Sequence, residues 1–186
     1  MDLGIARDRE DEIRAKARPG LACDVFVTLG GASVGDHDLV QPALKPAGLE
    51  IDFWKIAMRP GKPLIFGRIG AAAMLGLPGN PVSALVCARL FLEPLVRVLS
   101  GEPWRGHRLV AATLGAPLGQ NDQRQDYLRA AVKNEAGRLV ATAFPKQDSG
   151  MISLVSRADG LIVRAPHAPA AEAGAPVSVL PLAAWL

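Results

Sequence analysis

The sequence predicts an α/β domain followed by a small all-β domain. Three observations carry this. The apolar runs Val25 to Leu29 and Ile51 to Ala57 flank a loop and a helical stretch, the pattern of a β–loop–α–β unit with parallel strands. A long helix at 3.6-residue spacing follows Asn80-Pro81. After Gly101 the chain changes to short apolar runs separated by turn residues, as in a small barrel or sandwich. The expected domains are residues 1–102 and 103–186, joined within Gly101 to Gly106.

Each element has a local reason. Leu3-Gly4-Ile5 reads as the tail of a strand. Asp8 to Arg18 is charged on most sides, with Ile13 and Ala17 four apart, and reads as a surface helix ended by Pro19-Gly20. A second helix begins between Asp38 and Pro42 and closes at Pro46 and Gly48. Met58 to Pro63 is a stiff turn whose prolines flank Gly61 and hold Arg59 and Lys62 in place. Leu64 to Arg68 and Ala73 to Leu77 are two short strands around Gly70. Asn80 is a good N-cap and Pro81 a good first helical residue; Pro94 must kink or interrupt the helix they launch. The later strands are expected at Leu109 to Leu114, Tyr127 to Lys133, Leu139 to Ala143, Gly160 to Arg164 and Val177 to Leu180. Ala165 to Ala175 reads as a loop.

The stretch with the most chemistry is Gly30-Gly31-Ala32-Ser33-Val34-Gly35-Asp36-His37-Asp38. A strand that ends in glycines and a hydroxyl and then turns into a helix forms a nest of N–H groups suited to a phosphate. Asp36 and Asp38 at its rim make sense if a hard cation such as Mg²⁺ accompanies that phosphate. Each also reads as a cap or turn residue satisfying backbone N–H groups.

Bulk properties narrow the classes. The 186 residues are 49% hydrophobic and 21% charged, enough for a packed core. No apolar run reaches the roughly 18 residues of a membrane span. The N-terminal residues are unlike a signal peptide, and Cys23 and Cys87 stand apart without metal or redox spacing. A cytoplasmic protein with reduced thiols is the expectation. Between Asp52 and Glu93 there is no acidic residue, while Lys55, Arg59, Lys62, Arg68 and Arg89 fall there, a preference for an anionic ligand. Nucleic acid is disfavoured, since aromatic residues make up 5% of the chain and no recognition motif appears. His37, His107 and His167 lack metal-ligand spacing.

Three segments in order are specific: Gly30 to Asp38, then Arg59-Pro60-Gly61-Lys62-Pro63, then Gly76-Leu77-Pro78-Gly79-Asn80-Pro81-Val82-Ser83. Together they resemble the molybdopterin molybdenumtransferases, the MoeA and gephyrin E-domain family. The resemblance covers nearly the whole chain but only the C-terminal half of such a protein. It implies a three-layer, MogA-like molybdopterin-binding domain, N-terminally incomplete, followed by a β-barrel domain. It also implies release of AMP from adenylylated molybdopterin as molybdate is inserted, with Mg²⁺ assisting, and a homodimer in the full-length family. By position, Asp38 matches the family's essential acid, with Asp36 as its helper, both as catalytic and as Mg²⁺ residues. Gly30, Gly31, Ser33, Gly35, Pro78, Gly79 and Asn80 fall in the cofactor-binding loops. Arg59, Lys62, Ser83 and Arg129 match residues around molybdate; the family more often has Lys at the first. The three segments are expected to converge on one pocket. A binding module without turnover and a molybdopterin adenylyltransferase are the rival readings, the second disfavoured by the β-rich tail.

Overall fold

The computed structural model describes residues 1–31, 39–148 and 150–182. The chain forms two compact units, Met1–Ile56 with Gly61–Trp104, and Ala57–Pro60 with Arg105–Leu186. The tetrapeptide Ala57–Pro60 thus leaves the first unit and joins the second.

The first unit is α/β. Helix α1 (Glu10–Ala17) carries acids in its first turn and Arg14 and Lys16 in its last, matching the helix dipole. Strand β1 (Val25–Leu29) is followed by α2 (Val40–Leu44), a 3₁₀ turn (Lys45–Ala47) and β2 (Leu49–Phe53). After the excursion into the second unit, where β3 (Met58–Arg59) lies, come β4 (Ile65–Ile69) and β5 (Ala72–Leu77). The sheet order is β1-β5-β4-β2, with β1 and β5 parallel and β4 antiparallel to both its neighbours. Phe26, Leu44, Ile65, Ile69 and Met74 form the core under α1 and α2.

β1 and β2 run parallel, as the β–loop–α–β pattern predicts, but they are not neighbours, because β5 and β4 lie between them. Burial explains the order. Strands β4 and β5 are apolar and mostly buried, whereas β2 (LEIDF) buries only Leu49. The two-sided apolar hairpin takes the interior and the polar strand takes an edge. Gly67 makes that edge possible, since a Cβ there would lie 2.1 Å from the Glu50 carbonyl oxygen. β2 is also shorter than the expected run to Ala57 and ends at Phe53. Leu3-Gly4-Ile5 is irregular rather than a strand; Gly4 has a left-handed φ of +69° and Leu3 packs on the core.

Helix α3 (Pro81–Cys87) starts as its cap residue predicts, with Asn80 Oδ1 accepting from the Val82 N–H at 3.2 Å. Asn80→Ala is expected to cost about 1 kcal/mol, read as a lower urea midpoint. A π turn (Ala88–Leu92) then leads into α4 (Glu93–Leu99). Pro94 has no N–H to give and its ring collides with the carbonyl four residues back, so the wider turn ahead of it absorbs the interruption.

The second unit is a closed five-stranded barrel. Its strands are β6 (Val110–Leu114), β7 (Gln125–Glu135), β8 (Arg138–Ala143), β9 (Gly160–Arg164) and β10 (Pro176–Pro181), with a short helix α5 (Ile152–Val155). The ring runs β7-β8-β6-β10-β9 and closes through β7–β9. Strand β7 pairs with β9 up to Ala130 and with β8 from Ala130 onward. Ala130 is fully buried at that changeover, where a larger side chain would meet the barrel core of Leu114, Val132, Ile162 and Val179. Strand β3 adds to the outside of β7 in parallel, pairing Arg59 with Asp126.

Candidate functional site

In the first unit the candidate site lies at the carboxyl ends of two adjacent parallel strands, where open α/β sheets bind ligands. Leu29 and Leu77, the last residues of β1 and β5, are register partners. The loops leaving them touch: a Cβ on Gly79 would lie 3.3 Å from the Gly30 Cα. Gly30 and Gly31 have φ of +83° and +67°, a conformation that glycine adopts without strain. The Gly30 N–H donates to the Leu77 carbonyl at 3.0 Å, so it ties the loops together and is not offered to a ligand. Pro78 is buried and Asn80 caps α3. These segments, Gly30-Gly31 and Pro78-Gly79-Asn80, come together as one loop pair. A cavity of about 930 Å³ runs along β1 and reaches Gly30 and Gly31.

Ser83 is 6% exposed in the first turn of α3 and shares its face with Cys87 one turn on. The Cys87 thiol contacts the Gly61 carbonyl at 3.9 Å, which brings the turn carrying Lys62 to this helix face. Burial pushes the Cys87 thiol up to about 12, so it packs and does not react. Lys62 itself is exposed, and its carbonyl accepts from the Ile56 N–H at 3.1 Å. That bond closes the base of the Ala57–Pro60 excursion.

In the second unit, Arg59 meets a seat of acceptors. Its Nη2 donates to Asp126 Oδ2 and to Asn121 Oδ1 at 3.3 Å, and its Nη1 to Asp122 Oδ2 at 3.2 Å. Asp126 is 4% exposed, and its other oxygen has no partner among the described residues. Asp122 is held at about 2, chiefly by the Arg124 guanidinium, then by the Arg124 backbone N–H, with Arg59's charge adding and burial opposing. Arg129 is 1% exposed. Its Nη2 donates to the Asp148 carbonyl at 3.0 Å, and Nε has no partner among the described residues. Burial lowers its pKa by disfavouring the charged form, and Asp148 opposes this. The Gln147 side chain clasps the Arg129 backbone, accepting from its N–H and donating to its carbonyl, each at 3.0 Å.

Comparison with known proteins fixes the family. Residues 1–98 match the family described as probable molybdopterin binding domain, and residues 111–182 match the MoeA C-terminal region (domain IV). The chain belongs to the MoeA family. It is 34% identical over 184 residues to the molybdopterin molybdenumtransferase of Haemophilus influenzae, covering 97% of this chain and 45% of that protein. The corresponding Bacillus subtilis protein is 29% identical over 182 residues, covering 96% and 42%. The chain thus spans less than half the length of these curated relatives. A molybdopterin biosynthesis MoeA protein from Pyrococcus horikoshii superposes with a TM-score of 0.79 at 27% identity, over 98% of this chain and 44% of that one.

Within the MoeA family frame, the residues expected from sequence fall into three groups. Gly30, Gly31, Pro78, Gly79, Asn80, Ser83 and Lys62 belong to the first unit, gathered by the loop pair and by the Cys87–Gly61 contact. Arg59 and Arg129 belong to the barrel unit. Ser33, Gly35, Asp36 and Asp38 lie outside the described residues. Among the described residues, no three His, Cys, Asp or Glu side chains gather to hold a metal ion. Sequence reasoning missed Asn121, Asp122 and Asp126 as partners of Arg59. They lie 62 to 67 residues away and meet it only through the β3–β7 pairing, which no local pattern announces.

Asp122 makes a pH prediction for the barrel. Its folded pKa is depressed, so its stabilisation is complete above the unfolded value of about 3.9 and disappears as pH falls through about 2. The unfolding midpoint of wild type is expected to fall more steeply than that of Asp122→Asn between those two values. Parallel pH profiles would assign the acid sensitivity to other carboxylates.

Proposed function

We propose that this chain is the molybdopterin-binding and barrel portion of a molybdenumtransferase. In this reading it acts in molybdenum cofactor biosynthesis, taking adenylylated molybdopterin and molybdate and releasing AMP. The observation that supports it best is the loop pair at the ends of β1 and β5, where backbone passes close to backbone and a Cβ on Gly79 would lie 3.3 Å from the Gly30 Cα. Such a bare backbone surface suits a phosphorylated pterin. The first unit supplies Lys62 and Ser83 as donors to a tetrahedral oxyanion; the support for Arg129 is its match to the family's pattern alone.

Asp36 and Asp38 would hold Mg²⁺, which supplies neutralisation of charge on the phosphoanhydride when bound. This assignment rests on their sequence pattern. Asp38→Asn is expected to reduce Mg²⁺-dependent turnover while leaving folding nearly intact; an unchanged rate removes Asp38 from the reaction.

The reading is tested by incubating the chain with adenylylated molybdopterin, molybdate and Mg²⁺ and measuring AMP. Release of AMP above the protein-free rate supports turnover. One rival is a binding module that takes the pterin without completing the reaction. Binding without AMP release selects that rival; formation of adenylylated product from ATP would select an adenylyltransferase instead. Lys62→Gln is expected to weaken molybdate by about tenfold or more and pterin far less, as loss of one charge-assisted hydrogen bond implies. Equal losses would mean the cation is not specific to the oxyanion.

A further inference from the structure

We propose that Gln147 is a positioning residue for Arg129: its side-chain amide enters the last rung between β7 and β8 and sets the Asp148 carbonyl that receives the guanidinium. The inference rests on the functional reading above, in which Arg129 matches a residue that serves the oxyanion. Every residue it uses lies within the barrel unit.

Three observations carry it. The first is an interrupted rung. Ala130 and Ala143 are register partners, so Arg129 and Phe144 are the next pair along. Hydrogen-bonded antiparallel partners exchange two bonds. One is present, from the Phe144 N–H to the Arg129 carbonyl at 2.9 Å. An amide bridge replaces the other. Gln147 Oε1 accepts from the Arg129 N–H at 3.0 Å, and Nε2 donates to the Phe144 carbonyl at 2.8 Å. Nε2 also donates to the Arg129 carbonyl at 3.0 Å. Without this bridge the N–H of a residue that is 1% exposed would lose its partner, which folded chains avoid.

The second observation is the chemistry of the bridge. It uses two donors and one acceptor on a single planar group. Glutamate offers the acceptor but no donor when ionised, and methionine offers neither donor. The third is what the bridge carries. Ala130 and Val132 belong to the barrel core, so Arg129, out of phase with them, leaves β7 on the other face. Its guanidinium is buried there, and Nη2 donates to the Asp148 carbonyl at 3.0 Å. Asp148 follows Gln147 directly. Its carbonyl can move little while the preceding side chain is bonded at three points. A buried guanidinium seated on a backbone carbonyl takes its orientation from that carbonyl, so consecutive residues hold the main chain and the side chain of Arg129.

The test compares the full chain with Gln147→Met, Gln147→Glu, Arg129→Met and the double variant Gln147→Met/Arg129→Met. Three quantities are read: the urea midpoint, the Arg129 Nε–H resonance, and molybdate affinity by calorimetry. Gln147→Met is expected to lower the midpoint, to shift the Arg129 resonance and to weaken molybdate by about tenfold. In the Arg129→Met background the same change is expected to lower the midpoint again but to weaken molybdate by less than about twofold, because Gln147 reaches the anion only through Arg129. Gln147→Glu keeps the length and the Oε1 acceptor, and is expected to follow Gln147→Met in resonance and affinity. A purely structural Gln147 would lower the midpoint and leave resonance and affinity in place.

Molybdate affinity within about threefold of wild type in Gln147→Met, or an unshifted Arg129 resonance, would overturn the proposal. Affinity losses that multiply in the double variant would overturn it too. If wild type binds no molybdate, or Arg129→Met keeps wild-type affinity, the functional reading of Arg129 fails. The resonance then decides alone: a shift in Gln147→Met supports positioning, and its absence overturns it. Should Gln147→Met not fold, Gln147→Glu decides in its place, and wild-type resonance and affinity in that variant overturn the proposal.

Discussion

Replacing Gly79 with valine is expected to weaken binding of adenylylated molybdopterin while leaving the barrel unit unchanged. A Cβ at this position already lies 3.3 Å from the Gly30 Cα, tighter than ordinary contact. A branched side chain adds bulk beside that contact, so the Gly30 loop must give way further than for a single methyl. Gly30 cannot retreat freely, because its N–H is bonded to the Leu77 carbonyl at 3.0 Å at the end of β5. Overpacking of this kind costs about 1–3 kcal/mol, or roughly five- to 150-fold in affinity when it falls on the bound state. Gly79→Ala is expected to fall at the low end, since one methyl meets one backbone atom. Titration of both variants with the pterin checks the order. Wild-type affinity in Gly79→Val would move the ligand away from the loop pair.

The second large effect is at Arg129, where function is expected to fall while stability stays near wild type or rises. The guanidinium is buried, gives Nη2 to the Asp148 carbonyl and has no ion pair to a carboxylate among the described residues. Burial works against its charged form. Arg129→Met keeps the side chain's length and apolar stem and removes the charge. The lost hydrogen bond costs about 1 kcal/mol, and relief of the buried charge offsets it, so stability is expected within about 1 kcal/mol of wild type or above it. Molybdate affinity is expected to fall by about 1.5–3 kcal/mol, roughly ten- to 150-fold, for a lost hydrogen bond to a charged group. Denaturation and calorimetry on the same preparation separate the two. Strong destabilisation with unchanged affinity would assign Arg129 to the barrel's packing.

Much of the fold was legible because its signals are local. Asn80-Pro81 announces a capped helix in any context, and the structure has that cap. The short strands after Gly101 appear where their apolar runs and turn residues place them, within a few residues at each end. Strand order was not legible. Which strand neighbours β1 is decided by competition for the sheet interior, and β5, buried along most of its length, outcompetes β2 with its Glu50 and Asp52. Strand propensity alone does not rank two runs against each other.

The candidate site divides in the same way. Glycines and prolines in fixed order pointed to the loops, because backbone freedom and rigidity are properties of single residues. The partners of Arg59 could not be read, since they depend on the pairing of a two-residue strand with one more than sixty residues later. Lys62 and Arg59 look equivalent in sequence, two cations in one stiff turn. Both are exposed, but the structure distinguishes them: Arg59 is ion-paired to Asp122 and Asp126.

The most direct measurement is amide exchange across the full chain with and without adenylylated molybdopterin. The account predicts slower exchange at Gly31, Gly79 and Val82 on binding, with strands β8 and β10 unaffected. Protection confined to the barrel strands, or no protection at a ligand concentration that saturates binding, would contradict a pterin seat at the ends of β1 and β5.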